Sequence, residues 1–235
     1  MISDNRLKKT DIMTKFLISI FLTILSTTSF IAQNDPLEAI NFAMLIQKDT
    51  EKEIVGSPYY EQTFIPGIIN EVDGKKQEAY FRYNVKDDQV EVKFSPNQEE
   101  TYLLPRYQKY IYQLKDYSYV LGSFNVENVG LVKGFVIEYV QNDKVTFIGK
   151  PFVNLIQAQA AKTGYGNATP ASLNVGINYY FGLVDGKLQE VKLKEKEFRN
   201  IVPSSKEMKK YFEDNKIESS KDVMKMIKFY ETLNS

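Results

Sequence analysis

Between residues 56 and 194 the chain is cut into short alternating or apolar runs, each closed by a turn signal, and long helices cannot absorb such a pattern. Phe64 to Val72 reads as a strand, with Pro66 and Gly67 marking an edge or a bulge. Asp73-Gly74 then turns the chain, and Glu78 to Val85 and Gln89 to Phe94 form a pair across Asp87-Asp88. Thr101 to Leu104, Lys109 to Leu114 and Tyr117 to Leu121 continue the series. Leu131 to Val140 pairs with Lys144 to Ile148 across Gln141-Asn142-Asp143, and Tyr179 to Val184 with Leu188 to Leu193 across Asp185-Gly186. Short strands at this spacing predict an antiparallel sheet folded as a sandwich or partly open barrel. The fold class expected is α+β, mainly β. Only between Phe152 and Asn178 does the pattern lapse: Asn154 to Ala161 reads as a helical turn and Lys162 to Ser172 as a loop.

The end of the chain changes period. Ser204-Ser205-Lys206-Glu207 reads as a capping box, with Ser204 as the cap and Glu207 reaching back, ahead of Met208, Tyr211 and Phe212 on one face. Ser219 to Asp222 repeats the signal ahead of Val223, Met226, Ile227, Tyr230 and Leu233. Residues 195–235 are therefore expected to form a helical hairpin packed on the β-rich domain of residues 56–194.

The beginning differs again. Lys8, Lys9 and Lys15 precede the apolar run Phe16 to Leu25, and Ser26, Thr27, Thr28 and Ser29 follow it. A basic stretch, a short apolar stretch and small residues are the three parts of an export signal, expected here over residues 1–32 with cleavage after Ala32. The run is too short for a membrane span of about 20 residues. Residues 33–55 read as a leader or linker, a short helix over Asn34 to Lys48 being one form it could take. The protein is expected outside the cytoplasm, in the periplasm, attached to the envelope or released.

What remains after cleavage carries 26 basic and 28 acidic side chains, a net charge of −2. A balance this even offers no field for a polyanion, so nucleic acid is not expected as a partner. The chain has no His and no Cys. Every nucleophile–His arrangement, every thiolate nucleophile and every zinc–cysteine site is thereby excluded. No cofactor-binding or metal-binding motif is present, and Gly164-Tyr165-Gly166 lacks the third glycine of a dinucleotide loop.

Two groups of residues remain. The acidic pairs Glu99-Glu100, Asp87-Asp88 and Glu51 with Glu53 sit in turn or linker sequence and read as solvated surface. Tyr102, Tyr107, Tyr110, Tyr112, Tyr117 and Tyr119 crowd a single stretch; they read as cross-strand packing, the alternative being an aromatic platform for a sugar or a peptide.

Gly56-Ser57-Pro58-Tyr59, Phe64 with Gly67, Arg82-Tyr83-Asn84, Gly134-Phe135, Asn178-Tyr179-Tyr180 and the closing helical pair with Asn215-Lys216 and Phe229-Tyr230 together resemble a group of uncharacterised exported proteins of Gram-negative bacteria. The resemblance covers most of the chain after the signal. It implies export and a β-plus-helix layout, and carries no activity with it. The function expected is binding or structural rather than enzymatic, with a protein or glycan partner in the envelope. The alternative is a carboxylate-dependent hydrolase acting on envelope glycans, which needs two carboxyls about 5 to 10 Å apart across a cleft.

Overall fold

The computed structural model describes residues 44–45, 55–157, 170–183 and 187–234. The expected export signal, most of the leader, the expected loop from Lys162 as far as Thr169, the expected turn at Asp185-Gly186 and the Glu51/Glu53 pair lie outside the described residues; Ser172, the last residue of the expected loop, is a strand residue. Among the described residues, twelve strands and three helices make an α+β, mainly β fold closed by C-terminal helices.

The first part is an antiparallel sheet. Its strands run in the order β1 (Met44–Leu45), β6 (Tyr102–Leu103), β5 (Gln89–Lys93), β4 (Lys76–Asn84), β3 (Ile65–Glu71), β7 (Tyr110–Gln113) and β8 (Ser118–Glu127). Met44 and Leu45 are paired strand residues on β6, so the helical option for the leader fails there. The expected hairpins form. Gly74 (φ +94°) sits in the β3–β4 turn and Asp88 (φ +52°) in the β4–β5 turn, and both are residue types that tolerate the left-handed region.

The second part is a ring. β8 pairs with β9 (Gly130–Gln141), β9 with β10 (Val145–Ile156), β10 with β11 (Ser172–Leu183), β11 with β12 (Leu188–Val191), and β12 returns to β8. The antiparallel pairing expected from the sequence holds around the ring except at this last seam. A closed ring of five strands cannot alternate throughout, and β12 accordingly meets β8 in parallel. That seam has two register pairs, Leu188 with Val126 and Gln189 with Glu127, and β9 leaves β10 beyond the Ile137–Gly149 pair. The ring is thus a partly open barrel. The short β2 (Val55–Gly56) adds to β11 in parallel.

Asn154, Leu155 and Ile156 are strand residues paired with Asn174, Leu173 and Ser172, not the start of a helical turn. The long β10–β11 ladder supplies their backbone partners and overrides the local helical spacing.

Three helices follow: α1 (Glu195–Ile201), α2 (Lys206–Asp214) and α3 (Ser220–Leu233). The sequence does not announce α1, whose cap, Lys194, makes no side-chain capping bond. On α2 the cap is Ser205, whose Oγ accepts from the Met208 N–H, one residue later than the expected Ser204. On α3 the Ser219–Asp222 capping box is complete. Among the described residues no helix is long and apolar enough to cross a membrane.

The apolar side chains divide into three clusters. Tyr83, Tyr110, Tyr112 and Tyr119 pack with Phe81 and Ile69 of the first sheet and with Phe135 of β9. Phe147, Phe181 and Val191 on the outside of the ring pack with Phe198, Met208, Phe212, Val223, Met226 and Ile227 of the helices. Val126, Val132, Val136, Ile148 and Tyr180 fill the ring's interior.

Candidate binding groove

Residues 57–64 form a strap laid across β4. The Tyr60 N–H donates to the Tyr83 carbonyl at 3.0 Å, the Val85 N–H donates to the Pro58 carbonyl at 2.9 Å, and Tyr59 bridges to Asn84. Glu61 fastens the strap from beneath. Its carboxylate accepts from the hydroxyls of Tyr117 and Tyr119 and, at 3.4 Å, from the Tyr83 N–H. Burial, and then the Glu61 charge, push the Tyr119 hydroxyl far above its ordinary pKa.

Between this strap and the β5–β6 connection lies a groove of about 830 Å³. Arg82 is its centre. On the β4–β5 hairpin Arg82 stands directly opposite Glu91, and the two form an ion pair at 2.6 Å with only 6% of the Glu91 side chain exposed. The guanidinium lies 3.7 Å from the centre of the Tyr59 ring and 4.6 Å from that of Phe64, and Lys93 Nζ is 4.8 Å from the Phe64 ring. The Tyr59 hydroxyl donates to the other Glu91 oxygen at 2.8 Å. Burial, with this bond adding to it, raises the Tyr59 pKa to about 12. Tyr80, Gln62, Thr63, Glu99 and Glu100 complete the lining.

A second polar knot lies where the sheet meets the ring. Asp88 accepts from Lys150 Nζ at 2.7 Å, from Arg106 Nη2 at 2.6 Å, from the Tyr83 hydroxyl and from the Phe135 N–H at 3.2 Å. Burial would raise its pKa; the hydrogen bonds from Arg106, Lys150 and Tyr83 outweigh burial and hold it below the ordinary carboxylate value. Gly134 (φ +105°) makes the space, because a Cβ there would run into the Asp88 carboxylate and would come within 3.0 Å of Lys150 Nζ. Asp88 is therefore not a solvated turn residue. Apart from Tyr83 its partners lie far off in sequence, and no local pattern points to them.

The remaining acids and tyrosines singled out in the sequence sort clearly. Asp87, Glu99 and Glu100 are exposed. Of the clustered tyrosines, Tyr110, Tyr112 and Tyr119 are fully buried packing residues and Tyr117 packs edge-on against Tyr119, while Tyr107 is half exposed. Composition and motif point to nothing at Arg82, yet a signal for it is legible. A four-residue turn after Asn84 sets the register that brings Arg82 opposite Glu91.

Chemically the groove brings aromatic rings, two cations and three carboxylates together. Its buried acid, Glu91, has one oxygen on Arg82 and the other on Tyr59. Among the described residues no group of acids could hold a metal ion. Comparison with family models, with curated proteins and with solved structures finds no match to this chain.

Proposed function

We propose that this is an exported protein of the bacterial envelope, related to the uncharacterised exported group named above, that works by binding a partner and not by catalysis. The observation that carries the reading is the groove around Arg82. Arg and Tyr are the residue types that dominate binding energy at protein interfaces, above all where they are pre-packed. Here Arg82 is held between two rings and against Glu91 before any partner arrives, so little side-chain entropy is lost on docking. Tyr80 and the charged rim of Glu99, Glu100 and Lys93 supply mixed polarity. A protein segment fits this surface better than a glycan does, because cations already cover the faces of Tyr59 and Phe64 where a sugar ring would stack.

The hydrolase alternative has less support. Glu61, Asp88 and Glu91 are each engaged by hydroxyl, amide, guanidinium or ammonium donors, whereas a glycosidase works with a pair of carboxyls free to face the sugar.

The test is capture from an envelope extract by the protein lacking only its export signal. The parent should retain a specific partner. The double variant Glu99→Lys, Glu100→Lys should lose it with an unchanged thermal melt, since both side chains are exposed. Equal capture by parent and variant would refute the groove. Release of soluble fragments from envelope glycan, abolished by Glu91→Gln, would establish the hydrolase instead.

A further inference from the structure

The ring has an open mouth. A recess of about 850 Å³ lies over the interior cluster where the end of β8, the starts of β10 and β12 and the end of β11 come together. Phe124, Val126 and Leu188 belong both to this recess and to the ring's interior packing, so its floor is apolar. Its rim is of a different kind: Ser123, Asn125, Asn128 and Gln141 are all exposed side chains with neutral polar ends. The amides of Asn125, Asn128 and Gln141 face solvent. The two charged lining residues among the described residues, Glu127 and Lys187, are paired with each other at 3.0 Å.

Barrel mouths are favoured places for small-ligand sites, and this volume falls in the usual range of such sites, about 300–1,000 Å³. We infer that the mouth of the β8–β12 ring is a second binding site, separate from the Arg82 groove, and that its ligand is a neutral sugar of one or two residues. Each part of the ligand has a counterpart. Planar amides donate and accept at once, as a row of sugar hydroxyls requires. The apolar floor with the Phe124 ring meets the C–H face of a pyranose. The mutual neutralisation of Glu127 and Lys187 leaves no net charge for an anion or a cation to seek. An apolar ligand would leave the amide rim unmatched, and a charged one would have to break the Glu127–Lys187 pair.

The experiment is a titration of the protein lacking only its export signal with N-acetylglucosamine, maltose, cellobiose and, as the charged control, glucuronate. It is followed by the side-chain amide resonances of Asn125, Asn128 and Gln141. At least one neutral sugar should shift these resonances saturably, with a Kd on the order of millimolar. Replacing Asn125→Ala together with Asn128→Gly should weaken binding about tenfold or more, the equivalent of one or two lost hydrogen bonds. Gly is the right choice at 128, because Asn128 has φ +61° and Ala there would be strained. The melt should not change, as both side chains are exposed. The inference is overturned by any of four results: no neutral sugar produces a saturable shift, glucuronate binds in preference, the shifts cluster around Arg82, or the double variant binds as the parent does. Shifts around Arg82 would also count against a protein segment as the occupant of that groove; the other three outcomes leave capture through the Arg82 groove untouched.

Discussion

The two large cores of this molecule share strands β9 and β10 and are built on different terms. On the sheet side four fully buried tyrosines, Tyr83, Tyr110, Tyr112 and Tyr119, sit among Phe81 and Ile69. On the helix side Phe147, Phe181, Phe198, Met226 and Ile227 are among the buried residues, and the tyrosines there are only partly covered. A buried hydroxyl has to find a partner. Three tyrosines of the sheet core find it in carboxylates: Glu61 for Tyr117 and Tyr119, Asp88 for Tyr83. Asp88 in turn brings in Arg106 and Lys150. The helix core needs none of this apparatus. A residue choice as small as Tyr over Phe thus imports charge into a sheet core, and makes that core answer to pH.

Alkali should expose the difference most strongly. Burial, first among the causes, raises the pKa values of Tyr83, Tyr112 and Tyr119, so the fold binds their neutral forms. In the unfolded chain they titrate near pH 10. Their contribution is therefore complete below about pH 10 and is lost as pH rises beyond it, by about 4 kcal/mol per pH unit for the three together. Absorbance at 295 nm should show these tyrosines ionising only as the far-ultraviolet circular dichroism collapses. Gradual, non-cooperative ionisation of all tyrosines would mean that the sheet core is permeable to hydroxide, and the contrast between the cores would go.

A charge placed in the helix core tests the other side. Ile227 is 1% exposed among apolar neighbours, so Ile227→Asp should cost about 3 kcal/mol and lower the Tm by about 6 °C or more. A melt displaced by less than about 2 °C would show that α3 contributes little to the fold.

Removing charge from the sheet core should have the smallest effect of the three. Asp88→Asn keeps the shape and leaves Lys150 and Arg106 without their anion, a loss of about 2 kcal/mol at neutral pH once the 29% exposure of the Asp88 side chain is allowed for. The pKa of Asp88 is lowered in the fold. Its contribution is thus present above the unfolded value near 3.9 and fades as pH falls through the folded value. Urea melts of parent and variant should therefore differ at pH 7 and converge towards pH 2. A constant gap at all pH values would assign the effect to packing instead of charge.

The same contrast explains how far the sequence can be read. Strand hairpins at Asp73-Gly74 and Asp87-Asp88, and the helix starts near Ser205 and Ser219, are local events fixed by residues within a few positions of each other, and they are legible. Helix α1 is not, because Lys194 offers no capping oxygen. Residues 154–156 mislead, because a strand partner far along the chain decides their conformation. Asp88 misleads for a related reason: a turn acid carries no mark of the Lys and Arg that distant strands will bring to it. Arg82 opposite Glu91 falls between these cases, being readable once the hairpin register is drawn.

The β12–β8 seam has a bearing on how the chain assembles. The β8–β9 pairing, the β9–β10 pairing around Asn142 and the long β10–β11 ladder each join strands that are consecutive in sequence. The seam instead joins Val126 to Leu188 and encloses everything between them in one long loop. The entropy lost in closing such a loop grows with its length, while only two register pairs stand directly against it. As a matter of chain connectivity, the ring is a run of sequential pairings and one distant closure. The recess above its interior has its full wall only when that closure is made.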